Sequence, residues 1–350
     1  MGKKSFSTRL IIIFILSLAC LTIYHLSRKK SPLPCYSQMV QAAHRMQDAL
    51  TETRQYRKEL DLPIDPMLDP TFSGLIGEEI TPLTTTLGNL ESKQTALNPD
   101  FAALILRWLW ELKIQSGDTV ALQLSGSFPS LNIAAIIASE VIEAVPVITS
   151  SIGASSFGAN LPEMTYADIE KRLFDCGKIQ HRSQWVTIGG NNDREILLWE
   201  DSDKFLNLVL GRTGYHLLRP NSLQESIQKK WEFFHSGGKV KVFINVGGNQ
   251  AALGNCRHSS NLPFGLLQEA TYCQDAQRGL MMQFLTEGTA VIHLLNIRSL
   301  AIRENLPISP TPPFFTGQSD IYFEISHPVW IKIILVILLL CSWLLLRPSH

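Results

Sequence analysis

The chain lacks a surplus of charge of either sign: 31 Lys and Arg meet 31 Asp and Glu. That balance conceals an asymmetry. Lys3, Lys4, Arg9, Lys332 and Arg347 lie in or outside two terminal apolar runs that carry no acid, so the stretch between them is mildly acidic. A basic face of the kind that binds nucleic acid is therefore not indicated. A polyanion would need a local basic groove, because the bulk field does not help it. No repeat of fixed period and no low-complexity tract interrupts the chain. The spacings of Walker A, GxGxxG and GxSxG are absent as well. Histidines 181, 216, 235, 258 and 293 are scattered. Cys256-x-His258 with Cys273 fits no zinc spacing, so no metal site is assigned.

What is present is apolar material, 45% of 350 residues, enough for one large domain or two modest ones. Two runs stand at the ends. Leu10–Leu26 has 17 residues without a charge, and Val329–Leu346 has 18 with Lys332 alone near one end. Both are read as transmembrane helices, the first as an uncleaved anchor rather than a processed signal. Arg347 beyond the second run, with no Lys or Arg between Arg303 and that run, places both ends in the cytoplasm. The expectation is a two-span protein of the cytoplasmic membrane, its partner the lipid bilayer, with the large domain outside the cytoplasm. Of six cysteines, Cys20 and Cys341 fall in the runs. Cys35, Cys176, Cys256 and Cys273 can form disulfides or remain buried thiols.

The expected order is a tail over 1–9, a span over 10–26, a juxtamembrane helical segment over 27–70, an α/β domain over 71–306, a Pro-rich return arm over 307–328, the second span over 329–346 and a short tail. Tyr36–Leu60 is amphipathic, with Met39, Ala42, Ala43, Met46, Ala49 and Leu50 on one face. Thr71–Thr95 is rich in threonine and reads in two ways. It is either an edge strand with solvated hydroxyls or a segment that folds over the strand ends and supplies hydroxyl and ammonium groups. Asn98-Pro99-Asp100 opens a helix.

The centre of the chain is Gly117–Asp168. Asp118–Leu124 reads as a strand, Ser125–Ser130 as a small-residue loop, Leu131–Ala144 as a buried helix and Val145–Thr149 as a second strand. This is a β-α-β unit, so the two strands should be parallel. Thr165 with Asp168 reads as a capping box. Further alternation follows in Trp185–Ile188, Asp203–Leu210, His216–Leu218, Ser222–His235, Lys239–Val246, Ala276–Thr286, Ala290–Leu294 and Ile297–Asn305. The fold expected is α/β, a Rossmann-like, mostly parallel sheet domain between two transmembrane helices.

Ligands of open parallel sheets bind beyond the carboxyl ends of the strands. Three loops rich in Ser, Gly and Asn should meet there. Ser125, Ser127, Glu163 and Lys93 are the catalytic candidates, as nucleophile, base or acid. Gly126, Asn132, Ser150, Ser151, Ser155, Asn160, Gly247, Gly248 and Asn249 are the ligand-binding candidates. Asp168 is an alternative acid, although its spacing equally fits a cap.

These residues together resemble the poly-gamma-glutamate system protein family, bacterial membrane proteins associated with poly-γ-glutamate synthesis loci. The resemblance is carried by Gly74-Leu-Ile-Gly77 with Glu79 and Thr81, Thr84-Thr85-Thr86-x-Gly88, Asn98-Pro99 and Leu124–Asn132. Ser150–Ser155, Gly158-Ala-Asn160, Glu163-Met-Thr165 and Phe243–Gln250 continue it, over roughly residues 36 to 325. It implies a membrane-anchored accessory component of poly-γ-glutamate synthesis, export or processing. Its partners would be the synthase components, with polyglutamate itself as a further candidate. The residues leave two alternatives beside it: an acyl or amide hydrolase or transferase using the Ser/Gly/Asn crevice, and a structural scaffold of a synthase complex.

Overall fold

The computed structural model describes residues 2–195, 202–255, 263–269, 278–326 and 328–346. The chain divides into two units, one formed by residues 1–34 with 323–350 and the other by residues 35–322.

In the larger unit the apolar, β-branched runs become a seven-stranded sheet. Its strands are β1 (Thr119–Gln123), β2 (Val145–Ser151), β3 (Trp185–Thr187), β4 (His216–Leu217), β5 (Val240–Val246), β6 (Gly265–Leu267) and β7 (Ala290–Leu294). The spatial order is β4-β3-β2-β1-β5-β7-β6. Every neighbouring pair is parallel except β6 with β7, which is antiparallel at the edge. The sheet is thus mixed and mainly parallel, and the fold is α/β.

Strands buried on both faces need apolar residues on both, and alternation supplies them. Ala121, Phe243 and Val291 pack on one face with Leu223, Ile227 and Phe234 of the Leu223–His235 helix. Ala251 and Ala252 of Gln250–Leu253 and Met281, Phe284 and Leu285 of Leu280–Thr286 complete that layer. On strand alternation Leu122, Ile148, Ile244 and Ile292, all fully buried, face the other way. The helix Pro129–Val141, buried along its whole length, joins β1 to β2 and contacts both. It packs in turn on Asp100–Glu111 and Tyr36–Glu59. In the latter helix Met39, Ala42, Ala43, Met46, Ala49 and Leu50 are all buried. The helix Tyr166–Asp175 starts at the expected capping box: Thr165 donates to Asp168 Oδ2 from its backbone N, at 2.8 Å, and its hydroxyl, at 2.6 Å. Arg212 pairs with the same carboxylate.

The smaller unit holds helices Gly2–Leu26 and Val329–Leu346, with Lys29–Pro32 paired antiparallel to Phe323–Ser326. Among the described residues no helix is long and apolar enough to cross a membrane. This overturns the two transmembrane helices read from Leu10–Leu26 and Val329–Leu346, and with them the two-span placement in the cytoplasmic membrane and the outward orientation of the large domain. The physical reason is length and charge: a span takes about 20 consecutive, mainly apolar residues. The first run begins only after Arg9 and the second carries Lys332 within its first turn.

Cys35 and Cys176 are free thiols, the first buried and the second exposed. Cys256, Cys273, His258 and the expected start of a helix at Ala276 lie outside the described residues.

Candidate functional site

Beyond the carboxyl ends of the central strands lies a crevice of about 530 Å³. Five segments reach it: Thr85–Lys93, the loop after β1 (Ser125, Ser127, Phe128), the end of β2 with its following loop (Ser151, Gly153, Ser155), Gly189–Asn191 after β3, and Gly248–Gln250 after β5. Leu295–Ile297, after β7, closes the lining. Ser125, Ser155 and Gly248, separated by up to 123 positions in the chain, share one cavity wall.

The threonine-rich stretch takes the second of its two readings. Thr84–Thr86 pairs in parallel with Ala154–Ser155 instead of joining the main sheet, and Leu90–Thr95 forms a short helix. Asn160 holds this arrangement. Its amide donates to Glu78 O (2.7 Å) and Thr84 Oγ1 (3.0 Å), and its oxygen accepts from Glu78 N (3.0 Å). The short helix then carries Lys93 inward.

Lys93 is 3% exposed. Its Nζ donates to Ser155 Oγ at 2.8 Å and to Ser127 O, and lies 3.6 Å from the centre of the Phe128 ring. No carboxylate pairs with it among the described residues, and burial lowers its pKa to about 7. A lysine at that value divides between ammonium and amine near neutral pH, which suits proton transfer. Ser155, 7% exposed, receives this contact. Its backbone N donates to Ser127 Oγ at 2.9 Å. Ser127 is thus bonded to both partners, through its carbonyl to Lys93 and through its hydroxyl oxygen to Ser155. Ser125 Oγ accepts from Ser127 N at 3.1 Å and fixes the turn.

The remaining candidates have other places. Asn132 does not aim into the crevice. Its Nδ2 donates to Ser125 O at 2.8 Å and ties the helix start to the loop. Gly126 is where two loops cross: a Cβ there would lie 2.9 Å from Gly153 O and 3.0 Å from Ile152 O. Gly247 takes φ +83°, where a side chain is strained, and turns the chain out of β5. Ser150 is buried, and its hydroxyl oxygen lies 2.9 Å from that of Ser183, which is also 3.0 Å from Glu170 Oε1. Asn249 lines the crevice while its Oδ1 accepts from Ala251 N. Glu163 is exposed in the turn between Asn160–Leu161 and Met164–Thr165 and is not among the residues lining the crevice. Asp168 is the helix cap already described.

Sequence reasoning missed Leu295–Ile297 as lining, although their position after a parallel strand is the same signal that found the other loops. It also put Ser125 and Ser127, instead of Ser155, beside the base. Lys93 is the one charged side chain on the lining among the described residues; the rest are hydroxyl, amide, glycine or apolar groups. No family model, no curated protein and no solved structure matches the chain.

Proposed function

We propose that the crevice is an acyl or amide hydrolase or transferase site, with Ser155 as nucleophile and Lys93 as its general base, acting in poly-γ-glutamate synthesis, export or processing. The observation that carries this reading is Lys93 Nζ, buried with no carboxylate partner among the described residues and 2.8 Å from Ser155 Oγ. A serine hydroxyl is a weak nucleophile until a neighbouring base takes its proton. Neutral Lys93 accepts that proton as Ser155 Oγ attacks the substrate carbonyl. It returns the proton to the leaving nitrogen as the C–N bond breaks. The acyl group on Ser155 then passes to water or to an amine. Ser127 Oγ accepts from Ser155 N, which leaves its own proton to donate toward the developing oxyanion.

The substrate class follows from charge and from resemblance. A lining that among the described residues carries no Asp or Glu does not repel a carboxylate-bearing chain, as γ-linked polyglutamate is. The motifs resembling the poly-γ-glutamate system family include the very loops that carry Ser127, Ser155 and Gly248.

The test is incubation of the full chain with γ-linked glutamate oligomers, with cleavage or transfer followed by mass spectrometry. Turnover should be lost in Ser155→Ala and fall about 10²–10⁴-fold in Lys93→Met. In the native protein kcat/KM should rise with pH through about 7, since the amine form is the active one. Equal turnover in native protein and Ser155→Ala overturns the nucleophile. A gene deletion that changes polymer amount or length, fully complemented by Ser155→Ala, identifies a scaffold instead.

A further inference from the structure

One layer of side chains below the crevice, the sheet carries a buried polar row. Thr149 on β2 stands in register with Gln123 on β1, Gln123 with Asn245 on β5, and Asn245 with His293 on β7. Residues in register on parallel strands share a face, so the four side chains form a line across the middle of the sheet. Two residues earlier on each strand come Val147, Ala121, Phe243 and Val291, which pack against the helices of that face. Two residues later on three of them come Ser151, Ser125 and Leu295, which line the crevice. The row is therefore the step between apolar core and crevice.

All four residues are at most 1% exposed. Asn245 Nδ2 donates to Gly247 O at 2.9 Å and lies 3.0 Å from His293 Nδ1. Since that amide nitrogen is a donor, Nδ1 accepts and the ring proton sits on Nε2. Both Gln123 side-chain atoms, Thr149 Oγ1, Asn245 Oδ1 and His293 Nε2 are buried with no hydrogen-bond partner among the described residues. Buried polar atoms are nearly always paired, so five in one line point to a ligand that serves donors and acceptors together. A charged ligand does not suit a row made of neutral groups alone. Water donates and accepts, and in a protein interior makes about two to four such bonds.

We infer that the row Thr149–Gln123–Asn245–His293 is an internal water-binding site that continues the crevice inward. Its waters bridge neighbouring strands and fix the Gly247 turn through Asn245, whatever chemistry the crevice performs. The assignment is independent of the Ser155–Lys93 reading: loss of one leaves the other standing.

A high-resolution crystal structure of the full native chain decides it. Ordered water within hydrogen-bond distance of Gln123 and of at least one of Thr149, Asn245 or His293 is expected. A row closed on itself by direct side-chain bonds, or one without water, overturns the inference. A second measurement needs no crystal. Gln123→Met and Thr149→Val keep side-chain volume and remove the polar atoms. If water satisfies those atoms, both variants unfold at a lower urea concentration than the native chain. A higher midpoint means that the atoms are unpaired in solution and overturns the inference. If a variant fails to fold, the native crystal alone decides.

Discussion

Lys93 sits where a charge is expensive, and that cost has a pH signature. Its pKa falls from 10.5 unfolded to about 7 folded because burial opposes the ammonium, with no offsetting carboxylate among the described residues. Below about pH 7 both states are protonated and the folded state bears the full penalty. Between about 7 and 10.5 the unfolded chain holds more protons, so stability rises with pH; above 10.5 both are neutral and the gain is complete. The span of the shift corresponds to about 5 kcal/mol. Urea unfolding of native protein and Lys93→Met should therefore differ most at pH 6, with the variant the more stable, and converge toward pH 10. A constant difference across that range would place the titration elsewhere.

At the scale of elements, the Gly189–Asn191 wall of the crevice depends on an ion pair behind it. Asn192 and Asp193 both take positive φ, 54° and 61°, which non-glycine residues adopt at a cost. The buried Asp193 carboxylate repays that cost. It accepts from Thr187 Oγ1 on β3 at 2.9 Å, and from Ser226 and Lys230 on the Leu223–His235 helix. Lys230 and Asp193 side chains are each 1% exposed. Breaking such a pair leaves a lone buried charge, at about 3–5 kcal/mol. Asp193→Asn should lose stability on that order, and Lys230→Met with Asp193→Asn together should recover most of it, measured by urea unfolding. The double variant loses the anchor of the loop all the same. Asn192 N, bonded to Oε1 of the crevice residue Gln250, should then exchange its proton faster.

At the scale of the whole molecule, residues 35–322 form a unit with its own sheet and its own apolar layers. Its last residue, Tyr322, is fully buried, and its hydroxyl donates to Asp100 Oδ1 at 2.6 Å. A fragment of residues 35–322 should unfold in one cooperative transition, with a Tm within about 5 °C of the same transition in the full chain, a shift of about 3 kcal/mol for a domain of this size. Calorimetry of both proteins checks it. A fragment that melts broadly would show that the terminal segments complete the core.

Local patterns settled what depends on neighbours in the chain. The β-α-β unit, the Thr165–Asp168 capping box and the buried face of Tyr36–Glu59 follow from alternation, helical spacing and cap chemistry, all of which act over a few residues. Parallel topology then sends small-residue loops to one sheet edge, which is why the crevice was legible. Chain folding alone decided the rest. Lys93 meets Ser155 across 62 positions because Thr84–Thr86 docks beside Ala154–Ser155. The row from Thr149 to His293 exists only once register aligns four strands, and Glu163 leaves the crevice because its turn points to solvent. The terminal runs mark the limit of composition, since despite their hydrophobicity no helix among the described residues is long and apolar enough to cross a membrane. Which hydroxyl faces a base, and which polar group lies buried, are matters of distance, and distances between remote residues are set by packing.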